Sequence, residues 1–272
     1  MGNESIHGST HASDGRKGLA CITGASSGIG RAFSQQLAAE GYDLLLTGRR
    51  VDKLEQLAQE LTEAHGCKVA LSVGELRDRA YLRTLAAQLG SEPELRILVN
   101  NAGYGVPESF GDSEWDTQAD LHHVLVTAPL ELSHAALPAM RNAGTGAIIN
   151  VSSLASLVPA PGAAVYCASK AFINRFSETL ALEEAGNGIH AMTVLPGYVR
   201  TDFFRDDPDD AGRAKGFGWL SPEDVAGAAL KGLRRGRIQV VPGLRYRLVR
   251  ALSALLPRPI LYAILRRRGH KL

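Results

Sequence analysis

Apolar positions along this chain follow two rhythms that take turns. Short, nearly continuous apolar runs fall at 19–23, 43–47, 68–73, 95–100, 147–152, 189–195 and 237–241. Runs of this length, rich in Val, Ile and Leu, read as strands buried on both faces. Between them, apolar residues recur every three or four positions, the spacing of amphipathic helices. These stretches are 31–40, closed by Gly41; 52–64, with Leu54, Leu57 and Leu61 on one side; 78–89; a long one from 120 to 141; and 165–185. A further helix opens at Ser221-Pro222-Glu223-Asp224, with Ser placed to cap and Pro to enter the first turn. Strands alternating with helices over short connections predict an α/β protein, with one doubly wound parallel sheet of about seven strands covered on both faces. A single domain is expected over 18–243.

Three stretches fall outside that rhythm. Residues 1–17 are polar and rich in Ser, Gly and His, so disorder is expected there and not a signal peptide. Residues 202–219 contain Asp206-Asp207-Pro208-Asp209-Asp210 and three glycines. A loop this long between a strand and a helix predicts a lid or substrate loop. Residues 244–272 predict two short helices split by Pro257 and Pro259. Leu244, Leu248, Leu252, Leu255 and Leu256 share one side of this tail, and Arg245, Arg247 and Arg250 lie mostly off it.

Charge changes the picture of that tail. The net charge of +2 hides an asymmetry: residues 225–272 carry twelve Lys and Arg and no Asp or Glu, against 18 basic and 28 acidic residues before them. Such a tail suits an anionic membrane surface, an acidic ligand, or the acidic body of another subunit. Apolar content of 45% and charged content of 21% are ordinary for a globular domain, and no apolar run is long enough to predict a transmembrane helix. Cys21, Cys67 and Cys167 are scattered and form no C-x-x-C, so neither a disulfide framework nor a metal site is indicated. A cytoplasmic protein is expected, with peripheral membrane contact through the tail and no nucleic-acid partner.

Candidate chemistry begins at Thr23-Gly24-Ala25-Ser26-Ser27-Gly28-Ile29-Gly30, between the first strand and the first helix. Glycines there permit a tight turn and close backbone approach to a pyrophosphate, with the helix N-terminus behind it. Gly24, Ser26 and Gly28 also satisfy G-x-S-x-G, the nucleophile elbow of hydrolases. That elbow belongs well into a chain, whereas only about twenty residues precede Ser26. The second strand ends in Thr47-Gly48-Arg49-Arg50. An Asp or Glu at this point would grip a ribose 2′-OH; two guanidinium groups suit a 2′-phosphate instead, which favours NADP(H) over NAD(H).

Tyr166-Cys167-Ala168-Ser169-Lys170 places a phenol and an ammonium one helical turn apart. A nearby ammonium is expected to pull the tyrosine pKa down from about 10 toward working pH, as a general acid or base requires.

With these motifs in place, the chain resembles the short-chain dehydrogenase/reductase superfamily from about residue 19 to 241. Carrying the likeness are the glycine loop, Asn100-Asn101-Ala102-Gly103, Asn150-Val151-Ser152-Ser153, Tyr166 to Lys170, and Pro196-Gly197-Tyr198-Val199-Arg200-Thr201. The resemblance implies a Rossmann-type fold. It implies Tyr166 as general acid, Lys170 as its pKa-lowering partner and ribose ligand, and Ser153 as hydrogen-bond donor to the substrate oxygen, with Ser152 the alternative one register away. The cofactor would be lined by Gly24, Ser26, Ser27, Gly28, Ile29, Gly30, Arg49, Arg50, Glu75, Leu76, Asn101, Ala102, Gly103, Pro196, Gly197, Val199 and Thr201. Homodimers or homotetramers through the two long helices are implied as well.

Two positions depart from the family pattern. Leu125 stands where the family often has an Asn that relays protons from Lys170, leaving His122, His123 or backbone and water to replace it. Gly74-Glu75-Leu76 stands where an Asp-Leu or Asp-Val usually meets the adenine. The expected activity is hydride transfer between NADP(H) and a ketone, aldehyde or matching alcohol, a lipid or acyl ketone included. The alternative is a cofactor-binding protein with little turnover, a sensor or interaction module, because of Leu125.

Overall fold

The structure is a computed structural model that describes residues 15–201 and 218–268. The strands are β1 (Leu19–Thr23), β2 (Asp43–Gly48), β3 (Val69–Val73), β4 (Leu95–Asn100), β5 (Gly146–Val151), β6 (Ile189–Val194) and β7 (Gln239–Val240). All neighbours pair in parallel, in the order β3-β2-β1-β4-β5-β6-β7. The helices are α1 (Gly28–Ala39), α2 (Val51–His65), α3 (Arg79–Gly90), α4 (Trp115–His122), α5 (Ala128–Ala143), α6 (Ala164–Glu183), α7 (Pro222–Leu233), α8 (Leu244–Leu255) and α9 (Arg258–Arg268).

The two-residue period of the strands sorts their apolar side chains onto two faces. Ala20, Ile22, Leu44, Leu46, Ile97, Val99, Ile149 and Val194 pack against Phe33 and Leu37 of α1, Leu54 and Leu57 of α2, and Val225 and Leu230 of α7. Cys21, Leu45, Leu98, Ile148 and Ala191 pack against Leu82 and Leu85 of α3, Leu132 and Ala136 of α5, and Leu180 of α6. Each wholly buried Leu or Ile contributes about 1.5–3 kcal/mol, so these two layers carry the fold. The chain builds the sheet outward from β1 to β3, then restarts at β4 on the other side of β1. At that reversal the connections leave in opposite directions and open a crevice beyond the strand C-termini.

Local signals explain several boundaries. Ser221 Oγ accepts from Asp224 N at 3.0 Å, and the Asp224 carboxylate accepts from Ser221 N, closing the capping box expected there. Asp78 caps α3 by accepting from Ala80 N at 2.8 Å. The long helix expected over 120–141 instead begins at Trp115 and is interrupted by a π-helical turn, His123–Thr127. The last strand is two residues, not five. At the end of the segment expected to be disordered, Lys17 N donates to Gly41 O at 3.1 Å and Arg16 to His65 O at 2.9 Å, which ties both residues to the body. Most of the 202–219 loop, with its aspartate cluster, lies outside the described residues, as does 1–14.

Candidate active site

The site is built where β1, β4, β5 and β6 end. Thr23, the last residue of β1, is buried, and its Oγ1 accepts from Asn101 N at 2.9 Å and Ala102 N at 3.0 Å. Asn101 Nδ2 returns to Thr23 O at 2.9 Å and Gly24 O at 3.3 Å. These bonds stitch the glycine loop to the end of β4. Gly24 and Gly28 have φ of +66° and +52°, a region that side chains with a Cβ rarely adopt. A Cβ on Gly30 would sit 2.3 Å from Gly24 O, and one on Gly28 would sit 2.8 Å from Thr201 Cγ2. The loop therefore closes tightly on itself and lies directly beneath Thr201. Ser27, the N-cap of α1, makes no side-chain cap bond, and the first turn carries no acidic residue. The N–H groups and dipole of α1 are thus directed at the cradle, which fits a diphosphate.

Arg50 folds over this loop. Its Nη2 donates to Ser26 Oγ at 2.9 Å and Ser27 Oγ at 2.6 Å. Ser26 is buried and accepts from a guanidinium, which is no setting for a hydrolytic nucleophile. Arg49 turns the other way, its guanidinium largely exposed and donating to Glu75 Oε1 at 3.1 Å. Arg77, which the sequence did not single out, donates to the same oxygen at 2.7 Å and reaches Asp120 at 3.4 Å. The Arg77 and Arg49 bonds outweigh partial burial and hold the Glu75 carboxyl below its ordinary range. Leu76, expected at the adenine, packs its side chain into the core under α3.

The chemistry-bearing residues come together on β5 and α6. Ser153 caps the short turn Leu154–Ser156, its Oγ accepting from Ala155 N at 3.1 Å, and it hydrogen-bonds the Tyr166 phenol. Ser152 is buried and donates to Lys170 O at 3.1 Å, so the serine that meets Tyr166 is Ser153. Lys170 is 6% exposed, its Nζ donating to Val151 O at 2.8 Å and standing 5.7 Å from the Tyr166 ring centroid. Burial pushes the Tyr166 phenol up to about 12, against an opposing pull from Ser153. Burial also brings the Lys170 ammonium down to about 8. The direction at Tyr166 is the reverse of the sequence expectation, because desolvation of the phenol dominates.

Leu125 lies in the π-helical turn and is fully buried. A Cβ on Gly103 would fall 2.9 Å from Leu125 Cδ2 and 3.8 Å from Lys170 Nζ. Gly103, Leu125 and Lys170 therefore lie side by side. His122 is exposed, and His123 lines a separate groove with Arg79, Arg83, Thr127 and Glu131. Behind the site, Asn100 Nδ2 donates to Asn150 Oδ1 at 2.8 Å and Asn150 Nδ2 to Ser177 Oγ at 2.8 Å, a buried network that ties β4 and β5 to α6.

The Pro196-Gly197 turn is held by a residue that the sequence did not mark. Tyr246 of α8 accepts from Tyr198 N at 3.0 Å and donates to Gly218 O at 2.9 Å. A Cβ on Gly197 would lie 2.1 Å from its ring. The available signal was a tyrosine set apart from the leucine stripe of the tail. Val199 is buried and bridges to Leu220, and Thr201 Oγ1 donates to Val199 O at 3.5 Å.

A profile of the short-chain dehydrogenase family matches residues 18–212. The chain belongs to the short-chain dehydrogenase/reductase family of nicotinamide-dependent oxidoreductases. It is 38% identical over 219 residues to a sulfoacetaldehyde reductase of Chromohalobacter salexigens, covering 75% of this chain and 83% of that one. It is 31% identical to the inactive hydroxysteroid dehydrogenase-like protein 1 of Pongo abelii, covering 67% and 56%. Its fold matches a short-chain dehydrogenase from Sphingobium yanoikuyae in complex with NADPH, with a TM-score of 0.77, 30% identity and coverage of 88% and 96%. A Burkholderia phymatum relative in complex with NAD matches with a TM-score of 0.74, 26% identity and coverage of 83% and 89%.

Proposed function

We propose that this protein reduces a ketone or aldehyde at the expense of NADPH, with Tyr166 as the acid, Ser153 as the second donor to the carbonyl oxygen and Lys170 as the cofactor-side cation. The observation that carries it is the Ser153–Tyr166 hydroxyl pair, set beside Lys170. Two hydroxyls aimed at one carbonyl oxygen stabilise the negative charge that grows there. The phenol, held at about 12, keeps its proton throughout the physiological range and then releases it to the oxyanion. A bound nicotinamide would supply the hydride for the carbonyl carbon. Gly24, Gly28 and Gly30 would hold the diphosphate by backbone approach, Asn101, Ala102 and Gly103 would wall the groove, and Thr201, which lies against Gly28, would hold the carboxamide. Arg49 would meet a 2′-phosphate while Arg50 braces the glycine loop, and the carboxylate Glu75 would disfavour that phosphate unless Arg49 and Arg77 neutralise it.

The reductase named among the relatives acts on an aldehyde, which supports small carbonyl compounds as the first substrates to try. The test is NADPH consumption against a panel of aldehydes and ketones, with NADH in parallel. Turnover with NADPH above that with NADH is expected; turnover with neither, by protein that binds NADPH, removes this function.

Leu125 favours a second reading, cofactor binding with little turnover, since its side chain cannot carry a proton to or from Lys170. Leu125→Asn separates the two. A large rise in rate marks the native protein as a crippled enzyme, and an unchanged rate marks the leucine as compatible with turnover. Assembly into homodimers or homotetramers belongs to the same proposal. It is supported by Trp115, Phe172 and Leu182, which stand 70%, 48% and 73% exposed on α4 and α6. Light scattering on the eluting protein measures it.

A further inference from the structure

Among the described residues, the buried side of helix α8 is the one that carries Tyr246. Tyr246 is buried there, and Arg247 Nε donates to Val241 O at 3.0 Å. The helical period sets Leu244, Leu248, Leu252 and Leu255 on a single stripe across the axis from Tyr246. They are 81%, 59%, 50% and 79% exposed. Val249 and Leu256 widen the stripe, and Ile260 of α9 is exposed beyond it. Scattered exposed leucines need no explanation, but a continuous ladder of them does. Arg245 and Arg247 flank the ladder, Arg250 projects nearer the Tyr246 side and Arg258 opens α9, all exposed, in a 48-residue stretch without one acidic side chain.

We infer that this stripe is a docking surface for an anionic lipid bilayer. The helix would lie in the headgroup plane, its leucines entering the acyl boundary and its arginines meeting lipid phosphates. Twelve residues make a rod about 18 Å long, and among the described residues no helix is long and apolar enough to cross a membrane, so the geometry is that of lying on the surface. A second copy of the chain is the weaker occupant. A two-fold contact through this stripe would set its arginine rim against itself, and the apolar outer faces of α4 and α6 are available for self-assembly. A bilayer answers both the apolar stripe and the uniform positive rim.

The test is flotation of the full chain with phosphatidylcholine vesicles, with and without phosphatidylglycerol. Flotation with the anionic vesicles only, weakened by salt, is expected. Arg250→Glu with Arg258→Glu weakens it by about fivefold or more per site. Leu248→Asp with Leu252→Asp abolishes it at every salt concentration. Both pairs retain NADPH binding, measured by fluorescence, and that keeps failure to dock distinct from failure to fold. Failure of the folded protein to float with anionic vesicles at low salt overturns the inference. So does a leucine pair variant that floats normally, or one that floats normally but loses an oligomer on gel filtration, which would give the stripe to a second copy.

Discussion

Lys170 Nζ stands 5.7 Å from the centroid of the Tyr166 ring while donating to Val151 O at 2.8 Å. The lysine is thus anchored by backbone at the end of β5 and not by a carboxylate. Among the described residues no acid offsets its burial, and burial brings it down to about 8. The same burial carries the phenol to about 12. A cluster in this state holds its proton on tyrosine, which suits the reductive direction, where the phenol must give a proton up.

Tyr166→Phe removes that proton and leaves the ring. The rate of carbonyl reduction is expected to fall by about 10²–10⁴-fold, the usual worth of a positioned acid. NADPH affinity should hold within a few-fold, because the cradle of Gly24, Gly28 and Gly30 is untouched. Steady-state rates and a fluorescence titration measure the two separately. Full activity in the variant would take Tyr166 out of the chemistry.

Lys170 also leaves a mark on stability. Its pKa is about 8 folded and near 10.4 in the unfolded chain, so between those values the unfolded state binds more protons. Stability contributed at this site is therefore lowest below about pH 8 and rises as pH climbs to about 10. The penalty at neutral pH is of the order of 3 kcal/mol for a group this buried. Lys170→Met is expected to be as stable as the parent or more so at pH 7, to lose the gain between pH 8 and 10, and to be nearly inactive. Denaturant melts across that range check the slope; an unchanged slope would mean that the lysine is hydrated in solution.

Most strands were legible because short, nearly continuous apolar runs mark segments whose two sheet faces are both covered. Ser153, Tyr166 and Lys170 stood out as candidates because their spacing resembles the family's motif, and the structure brings the three together. The π-helical turn at Leu125 was not, since widening one turn needs no particular residue and shows no break in apolar period. Arg77 and Tyr246 were missed for a different reason. Tyr246 acts through Tyr198, 48 residues away, and Arg77 through a Glu75 carboxylate that it shares with Arg49 from another strand end, so neither role leaves a local pattern. The tyrosine pKa was misjudged because spacing reports a neighbouring charge and not the depth of burial.

Arg49 and Arg50 look equivalent in the sequence and are not in the structure. Arg50 braces Ser26 and Ser27, so Arg50→Ala should weaken NADPH and NADH alike, by about tenfold, as charge-assisted bonds to the loop are lost. Arg49 is exposed and shared with Glu75, so Arg49→Ala should weaken NADPH selectively. Glu75→Gln should do the opposite and improve NADPH, by freeing Arg49 and removing a like charge. Paired titrations with the two cofactors test this; an equal loss for both in Arg49→Ala would place the 2′-phosphate elsewhere.

Tyr246 is a positioning residue, acting through the Pro196-Gly197 turn and not on the reacting atoms. Its hydroxyl joins Tyr198 N, just after that turn, to Gly218 O. Tyr246→Phe keeps the ring against Gly197 but leaves the partly buried Tyr198 N–H without this acceptor, a loss of about 1–3 kcal/mol in stability. Because Thr201 follows the same turn and touches the glycine loop, cofactor KM should rise several-fold while kcat at saturation changes little. Gly197→Ala tests the same contact from the other side. Its Cβ would meet the Tyr246 ring at 2.1 Å, so the ring or all of α8 must move, and the loss should exceed that of Tyr246→Phe. Gly197→Ala with Tyr246→Ala should recover part of it, since the ring that obstructs the new methyl group is gone. An additive double variant would show that the turn and the helix are energetically independent.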